Sequence, residues 1–361
     1  MDKKRISDKR PTLRDVAAAL GVTTTTVSNA YNRPDQLSAS LRESVLAAAA
    51  KLGYAGPDPA ARSLRRGRSV AVGVVYADPL SYAFADPAFV LFLEGLASAV
   101  EELGVSLTLM PGTPRDDPTT SPVMTAIVDA FVVYSMADDD PLFGAAKDRR
   151  LPMIRVDAPV LDGRLLVSID DRGGAEAAAA HVLGLGHESI GVISCELTSQ
   201  VRPGPVSAAV QAEATHHISR ARLAGYAAAC GARWSEVPVF ETARNSEAGG
   251  AEAARWLLDR KPRPTAILAM SDRLAAGAME VARERGLRIP GDLSIAGFDD
   301  VPLASASNPG LTSVRQPHAE KGRSAGQLVM AVLAGRRIKQ PAPLPTELVV
   351  RGSTARPRKA R

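Results

Sequence analysis

GVTTTTVSNAYNRPDQLS, residues 21–38, decides how the start of the chain is read. Threonine is β-branched and a middling helix former, so propensity alone would make Thr23–Thr26 a strand or a loop. The flanks read otherwise. Thr12 precedes an apolar-periodic stretch with Asp15 three positions on, the pattern of a capping box. Val16, Ala17 and Leu20 share a face of the helix this predicts, and Gly21 stands where a helix end wants a residue tolerant of positive φ. Thr23 can cap a second helix through its hydroxyl. In that helix Val27 and Ala30 lie inward, whereas Thr24, Thr25, Ser28 and Asn29 share the outer face. A third helix is expected from about Ser40, in LRESVLAAAAKLGY, with Leu41, Val45, Leu46 and Leu52 as its apolar positions. The layout is a helix-turn-helix with a third helix closing its core. A helical hairpin that touches no nucleic acid is the plainer alternative.

Charge separates this head from the rest. Residues 1–68 hold thirteen Lys and Arg against six Asp and Glu, a net +7, while the whole chain is only +5. A basic head on a nearly neutral body suits a polyanion, although a solvated charged terminus would show the same balance. The two cysteines, Cys195 and Cys230, supply neither a disulfide framework nor a zinc ribbon. No apolar run approaches the roughly 20 residues needed to span a bilayer. MDKKRISDKR lacks the apolar segment of a signal peptide, and residues 1–11 are expected to form a disordered basic tail. The expectation is a cytoplasmic protein with no membrane association and no metal or other cofactor.

The stretch TLRDVAAALGVTTTTVSNAYNRPDQLSASLRESVLAAAAKLGY (12–54) resembles the DNA-binding domain of the lac repressor (LacI) family. The resemblance continues through PDPAARSLRRGRS into the body, over about residues 12–353. It implies a DNA-reading role for the threonine run: a helix N-terminus offers free amides, a positive dipole and hydroxyls to phosphate. It also implies that Thr24, Thr25 and Asn29 meet base edges, with Thr23 and Ser28 beside them. Relatives commonly carry arginine at the third reading position, which suits guanine. The Asn29 amide suits adenine N6 and N7, so A·T is expected there, unless the short side chain only touches phosphate. Residues 55–68 would be the family's hinge helix, too short to be stable alone. In it Leu64 would enter the minor groove, with Ala61 alongside; a flexible linker is the alternative.

Beyond residue 69, apolar runs alternate with helical stretches. Strands are expected at 70–77, 105–110, 130–135, 152–156, 189–194, 265–270 and 293–298. Helices such as FVLFLEGLASAVEELG, AEAAAAHVLGLG and LAAGAMEVARERG lie between them, a pattern that makes βαβ units and parallel sheets. No G-x-G-x-x-G or G-x-x-x-x-G-K-[ST] motif occurs, so a nucleotide fold is not supported. The resemblance implies an α/β body like a periplasmic sugar-binding protein, two subdomains with an effector between them. The expected N-subdomain spans about 69–165 and 315–341, and the C-subdomain about 166–314 and 342–353. A basic tail at 354–361 follows, with no helical tetramerisation segment.

Polar residues at strand ends match the family's ligand positions: Asp78, Asp157 and Asp299. Arg222, in SRARLAGY, matches an arginine that forks onto ligand hydroxyls or carboxylates. Ser271 stands where relatives often carry Asn or Asp, and Tyr82 and Phe84 could stack on a sugar or base. Each has an ordinary alternative, such as a salt bridge for Arg222, a turn acid for Asp299 or the core for Phe84. The segment 198–219 is longer than the usual loop before that arginine, and reads equally as a lid or an excursion.

Three rivals compete. Cys195, His216 and His217 could suggest a hydrolase or metal site, but no nucleophile elbow or third ligand accompanies them. The acidic run Asp138–Asp140 reads as a solvated loop rather than a calcium site. A soluble sugar-binding protein leaves the head unexplained, and an effector-independent architectural DNA binder leaves the body unexplained. The reading is a non-enzymatic, homodimeric regulator, expected to repress. It would grip a pseudo-palindromic double-stranded operator and answer to a small-molecule effector, a sugar or related metabolite.

Overall fold

The computed structural model describes residues 12–32, 36–52, 54, 71–112, 122–158 and 165–358. The chain divides into two units, Met1–Ser69 and Val70–Arg361. The expected basic tail at 1–11 and the hinge at 55–68, with Ala61 and Leu64, lie outside the described residues.

In the first unit, α1 (Leu13–Leu20), α2 (Thr24–Asn32) and α3 (Ala39–Leu52) enclose a core of Val16, Ala17, Val27, Ala30, Val45 and Ala49. The Asp15 carboxylate accepts both the backbone N–H and the hydroxyl of Thr12, each at 2.7 Å. Gly21 ends α1 at φ 62°, in the left-handed region where glycine pays no Cβ penalty. Thr23 Oγ1 accepts from the Thr26 amide at 3.1 Å and so starts α2. The register of α3 departs from expectation. Val45 and Ala49 face the core, whereas Leu46 and Leu52 are 37% and 40% exposed. The buried stripe follows the small residues because α1 and α2 cross close to α3.

The second unit holds two sheets. The first has the order β2 (Ser106–Pro111), β1 (Ala71–Tyr76), β3 (Ala130–Tyr134), β4 (Met153–Val156), β5 (Leu165–Val167), all parallel. The second has the order β12 (Glu347–Val349), β11 (Thr312–Arg315), β10 (Ser294–Asp299), β9 (Ala266–Ala269), β6 (Ile190–Ser194), β8 (Val239–Glu241), β7 (Gly204–Pro205). Only β12 and β7, at its two edges, run antiparallel to their neighbours. The central strands are buried along their length, as parallel strands covered on both faces must be.

Three passages join the subdomains. After β5 the chain crosses at 168–170, and after β11 it returns at 316–317. It crosses again before β12, where Ile169 and Leu344 bridge. The helix His318–Leu333 packs on Pro87–Val100 in the first subdomain. Their backbones nearly touch: a Cβ on Gly95 would stand 1.9 Å from the Ala319 carbonyl oxygen. The expected tail at 354–361 begins later than its charge suggests. Ser353 Oγ accepts the Thr312 amide at 2.8 Å, Thr354 Oγ1 meets His181 Nε2 at 2.9 Å, and the Ala355 amide donates to Ser294 at 3.1 Å. Polar side chains buried under the sheet hold these residues in the C-subdomain.

Candidate functional site

In open parallel sheets ligands sit beyond the carboxyl ends of the strands. Here those ends from the two subdomains face a common cavity. From the first come Tyr76, Asp78, Tyr134, Ser135 and Asp157; from the second come Cys195, Glu196, Ser271 and Asp299, with Ser219 and Arg222 from the helix His217–Cys230. Four of the five described non-glycine residues with positive φ stand at the same ends: Ser135 (45°), Asp157 (51°), Asp299 (110°) and Asp300 (50°), the fifth being Arg150 (53°) ahead of β4. Such backbone is costly and persists where the surroundings fix it.

Of the expected effector residues, Asp78, Tyr82, Asp157, Arg222, Ser271 and Asp299 line this cavity. Phe84 does not. It is 67% exposed, because the helix Leu80–Ala85 turns Tyr82 and Ala83 inward and leaves Leu80 and Phe84 outside. The aromatic wall is instead Tyr76, Phe89 and Tyr134, with ring centroids 4.9 Å apart for Tyr76–Phe89 and 4.8 Å for Phe89–Tyr134.

Arg222 is held from several sides. Its Nε donates to Asp171 at 2.9 Å, its Nη1 donates to the Met270 carbonyl and lies 3.7 Å from Asp299, and the guanidinium sits 3.6 Å from the Phe298 ring centroid. Burial opposes its charge, but Asp171 and Asp299 outweigh that and raise its pKa above the ordinary range. From Asp299 a chain of bonds runs across the passage at 316–317. Gln316 Nε2 donates to Asp299 at 2.5 Å, Lys321 Nζ donates to Gln316 at 2.6 Å, and Lys321 pairs with Asp157. Lys321 and Asp157 are 1% and 2% exposed, so a buried ion pair in the first subdomain is tied through Gln316 to Asp299 in the second, beneath the cavity.

Ser271 serves its neighbours. Its hydroxyl accepts the Leu274 amide at 3.1 Å and donates to Asn245 Oδ1 at 2.5 Å. Burial pushes the Asp299 carboxyl up to about 7, with Arg222 pulling against it. Burial likewise pushes Glu196 up to about 7 and Asp78 up to about 6. Burial lowers the His216 imidazole to about 4, so it is neutral. Among the described residues, Tyr76 Oη, Asp157 Oδ1 and His216 Nδ1 are buried without a hydrogen-bond partner. All three line the cavity. A buried polar atom left unpaired costs about 1–3 kcal/mol, which a ligand hydroxyl in the cavity would relieve.

The segment 198–219 lies at the mouth. Its strand β7 pairs with β8, and Thr215 and His216 donate their amides to the Leu197 carbonyl at 2.9 and 2.8 Å. It also reaches the other subdomain: the Asp139 carboxylate accepts from the hydroxyls of Ser199 at 2.9 Å and Thr215 at 2.7 Å. On the opposite side Tyr82 Oη donates to the Asn245 carbonyl at 3.0 Å, with Arg244 and Arg273 flanking its ring.

Sequence reasoning missed Phe89, Tyr134, Glu196, Asn245, Gln316 and Lys321, and weighed His216 only for a hydrolase or metal site. Tyr134 and Glu196 carry the same signal as the residues found, since both stand at or just past a strand's carboxyl end. In the head, Thr24 and Thr25 are exposed on α2. Asn29 Nδ2 donates to Gln36 Oε1 at 3.2 Å, a partner the sequence did not suggest.

Residues 12–56 match the bacterial regulatory proteins of the lacI family, and residues 179–354 match a periplasmic binding protein-like domain. An HTH-type transcriptional regulator of Mycobacterium tuberculosis is 44% identical over 97% of this chain and 98% of its own length. The structure of the lac repressor dimer bound to operator and the anti-inducer ONPF covers 96% of this chain and 100% of its own, with 26% identity and a TM-score of 0.74. A complex of the transcriptional regulator CelR with cellobiose covers 95% of this chain and 100% of its own, with 29% identity and a TM-score of 0.66.

Proposed function

The chain belongs to the lacI family of bacterial regulatory proteins, and on that premise we propose that it is a repressor released or engaged by a neutral polyhydroxylated effector. It is a DNA-binding transcription regulator that acts on operator DNA as a dimer under effector control. The cavity between the subdomains carries the effector reading. Asp78, Asp86, Asp157, Glu196 and Asp299 line it, against one arginine, Arg222, already committed to Asp171, Asp299 and Met270. An anionic ligand would meet more carboxylates than cations there, since Asp157 and Asp299 already take up Lys321 and Arg222. A polyol brings hydroxyl donors to those acceptors and an apolar face to Phe89 and Tyr134.

The mechanism follows from the connection beneath the cavity. A ligand touching Asp157 on one side and Asp299 on the other bears on both ends of the Asp299–Gln316–Lys321–Asp157 chain. It therefore favours one mutual arrangement of the subdomains. That is a population shift, and operator and effector must alter each other's affinity by the same factor.

In the head, Thr24, Thr25 and Asn29 are the proposed base-reading residues, with Thr23 and Ser28 beside them. Leu64 and Ala61 are proposed to act in the minor groove. The test is a binding selection on randomised half-sites with wild type and Asn29→Arg. The preferred base at one position should change from A to G, a discrimination worth about 1–3 kcal/mol. An unchanged preference there would remove Asn29 from base reading. Loss of all sequence preference in the wild type would remove the regulator reading with it.

A further inference from the structure

The subdomains are tied to each other around the cavity. Beneath it runs the Asp299–Gln316–Lys321–Asp157 chain. On one side Tyr82 Oη donates to the Asn245 carbonyl at 3.0 Å. Parting the subdomains as whole bodies would break these ties. The remaining side is built differently. There a space of about 450 Å³ lies outside the inner chamber, walled by Asp140, Pro141 and Leu142 of the first subdomain and by Thr198, Ser199 and Val201 of the second. Glu196 and His216 line both spaces, so the outer one leads into the inner.

The stretch Thr198–Val201 hangs between two anchors. Before it, the Leu197 amide donates to Glu241 Oε1 at 2.8 Å, and the Leu197 carbonyl accepts the Thr215 and His216 amides. After it, β7 pairs with β8. Between the anchors, and among the described residues, these four are hydrogen-bonded only to one another and to Asp139. Thr198 Oγ1 donates to the Gln200 carbonyl at 2.9 Å. Ser199 donates its hydroxyl to Asp139 at 2.9 Å and its amide at 3.4 Å, and Thr215 Oγ1 donates to the same carboxylate at 2.7 Å. None of the four is buried. A stretch with so little packing lies at the low end of local stability. Its order therefore depends on bonds to one charged group, which are stronger than those between neutral partners.

We propose that Thr198–Val201 is a gate to the effector cavity, latched by Asp139, which opens while the two subdomains keep their arrangement. Entry and exit are then governed by the latch. The gate is indifferent to the chemistry of the effector, so it stands apart from the polyol reading. Cys195 is a native reporter of it, because it lines the inner chamber and not the outer one. Burial, aided by Glu196, pushes its thiol well up, so it is protonated and inert until the cavity opens to solvent. Cys230, the other cysteine, is 6% exposed and lies by a separate cavity, beside Ile190 and Val237 at the amino-terminal ends of β6 and β8.

The test is the rate at which N-ethylmaleimide labels each cysteine of the full-length protein at fixed pH, read by mass spectrometry after tryptic digestion, which puts Cys195 and Cys230 in different peptides. Asp139→Ala should speed labelling of Cys195 by about tenfold or more, because one hydrogen bond to a charged group is worth about that factor. Labelling of Cys230 should not change. Ser199→Ala/Thr215→Val removes the hydroxyl bonds from the other side of the latch and should speed Cys195 in the same way. Tyr82→Phe removes the tie on the opposite side of the cavity and should leave Cys195 as slow as in the wild type. A variant that loosens the whole fold would speed both cysteines, and the other latch variant then decides. An unchanged Cys195 rate in the latch variants, or a parallel rise of Cys230 in both, would overturn the gate. So would an equal rise in Tyr82→Phe, which would assign entry to the parting of whole subdomains.

Discussion

Replacing Lys321 by methionine should destabilise the second unit by about 3–5 kcal/mol, the cost of removing one partner from a buried ion pair. The estimate follows from the burial of both partners: the side chains of Lys321 and Asp157 are 1% and 3% exposed. Methionine has nearly the length of lysine, so little of the loss would come from a cavity. What remains is a buried Asp157 carboxylate without its cation. Its Oδ1 already lacks a partner among the described residues, so no second bond compensates. The double variant Lys321→Met/Asp157→Asn removes both charges. It should be at least about 2 kcal/mol more stable than the sum of the single effects, because coupled neighbours are non-additive by about 0.5–3 kcal/mol. Urea unfolding followed by far-UV circular dichroism reads the whole unit. Both tryptophans, Trp234 and Trp256, lie in the second subdomain, so fluorescence reads that half. A loss below 1 kcal/mol in Lys321→Met, or strict additivity in the double variant, would refute a stabilising buried ion pair at the first-subdomain end of the connection. It would also remove the proposed route from effector to subdomain arrangement.

Two further outcomes follow from the same structure. Burial raises Glu196 to about 7, aided by Asp78 and Glu241 and opposed by its own backbone and the Asn245 amide, and raises Asp78 to about 6. Ligand hydroxyls favour the ionised acids, so binding releases protons and affinity should rise between pH 5.5 and 8, by at most about tenfold per pH unit for each proton released. Titration across that range checks this, and Glu196→Gln should remove the part near pH 7. For the unliganded protein the sign is opposite: carboxyls with raised folded pKa values stabilise it at low pH, and that contribution is lost as pH rises toward 7. Leu80 and Phe84, 45% and 67% exposed one helical turn apart, form an apolar face that we assign to the second copy in the dimer. Burying a phenylalanine contributes about 1.5–3 kcal/mol, and a two-fold interface counts it twice, so Phe84→Asp should weaken dimerisation more than a hundredfold in sedimentation equilibrium. An unchanged dimer would remove Phe84 from the interface.

The sequence marked some elements clearly and others hardly at all. Thr12, Asp15, Gly21 and Thr23 act through bonds within four residues, so their roles could be read locally. The register of α3 could not, because the alanine run 47–50 gives no contrast between faces and the crossing of α1 and α2 chooses Val45 and Ala49. In the body, the seven long apolar runs stood out as β1–β4, β6, β9 and β10. The short strands did not. β11 is buried although it begins Thr312-Ser313, because Ser313 donates to Asp272 at 2.5 Å and Thr312 donates its amide to Ser353. Those partners lie about 40 residues away, so no local pattern announces them.

The site divides along the same line. Asp78, Asp157, Ser271 and Asp299 could be named as effector candidates because the family resemblance points to these positions, which stand at strand ends where parallel sheets put ligands. What each does there depends on partners from elsewhere. Arg222 is spent on Asp171 and Asp299, Ser271 orients Asn245, and Asp157 is held by Lys321 from a helix that begins after a passage between subdomains. A residue that reaches the ligand and one that holds such a residue look alike in sequence. They separate only by where their hydrogen bonds go. By that measure Asp157, with one oxygen on Lys321 and the other unpaired among the described residues, stands in both roles. In the proposed mechanism it is the point at which ligand contact and subdomain connection meet, and so the residue through which an effector in the cavity would act on the rest of the chain.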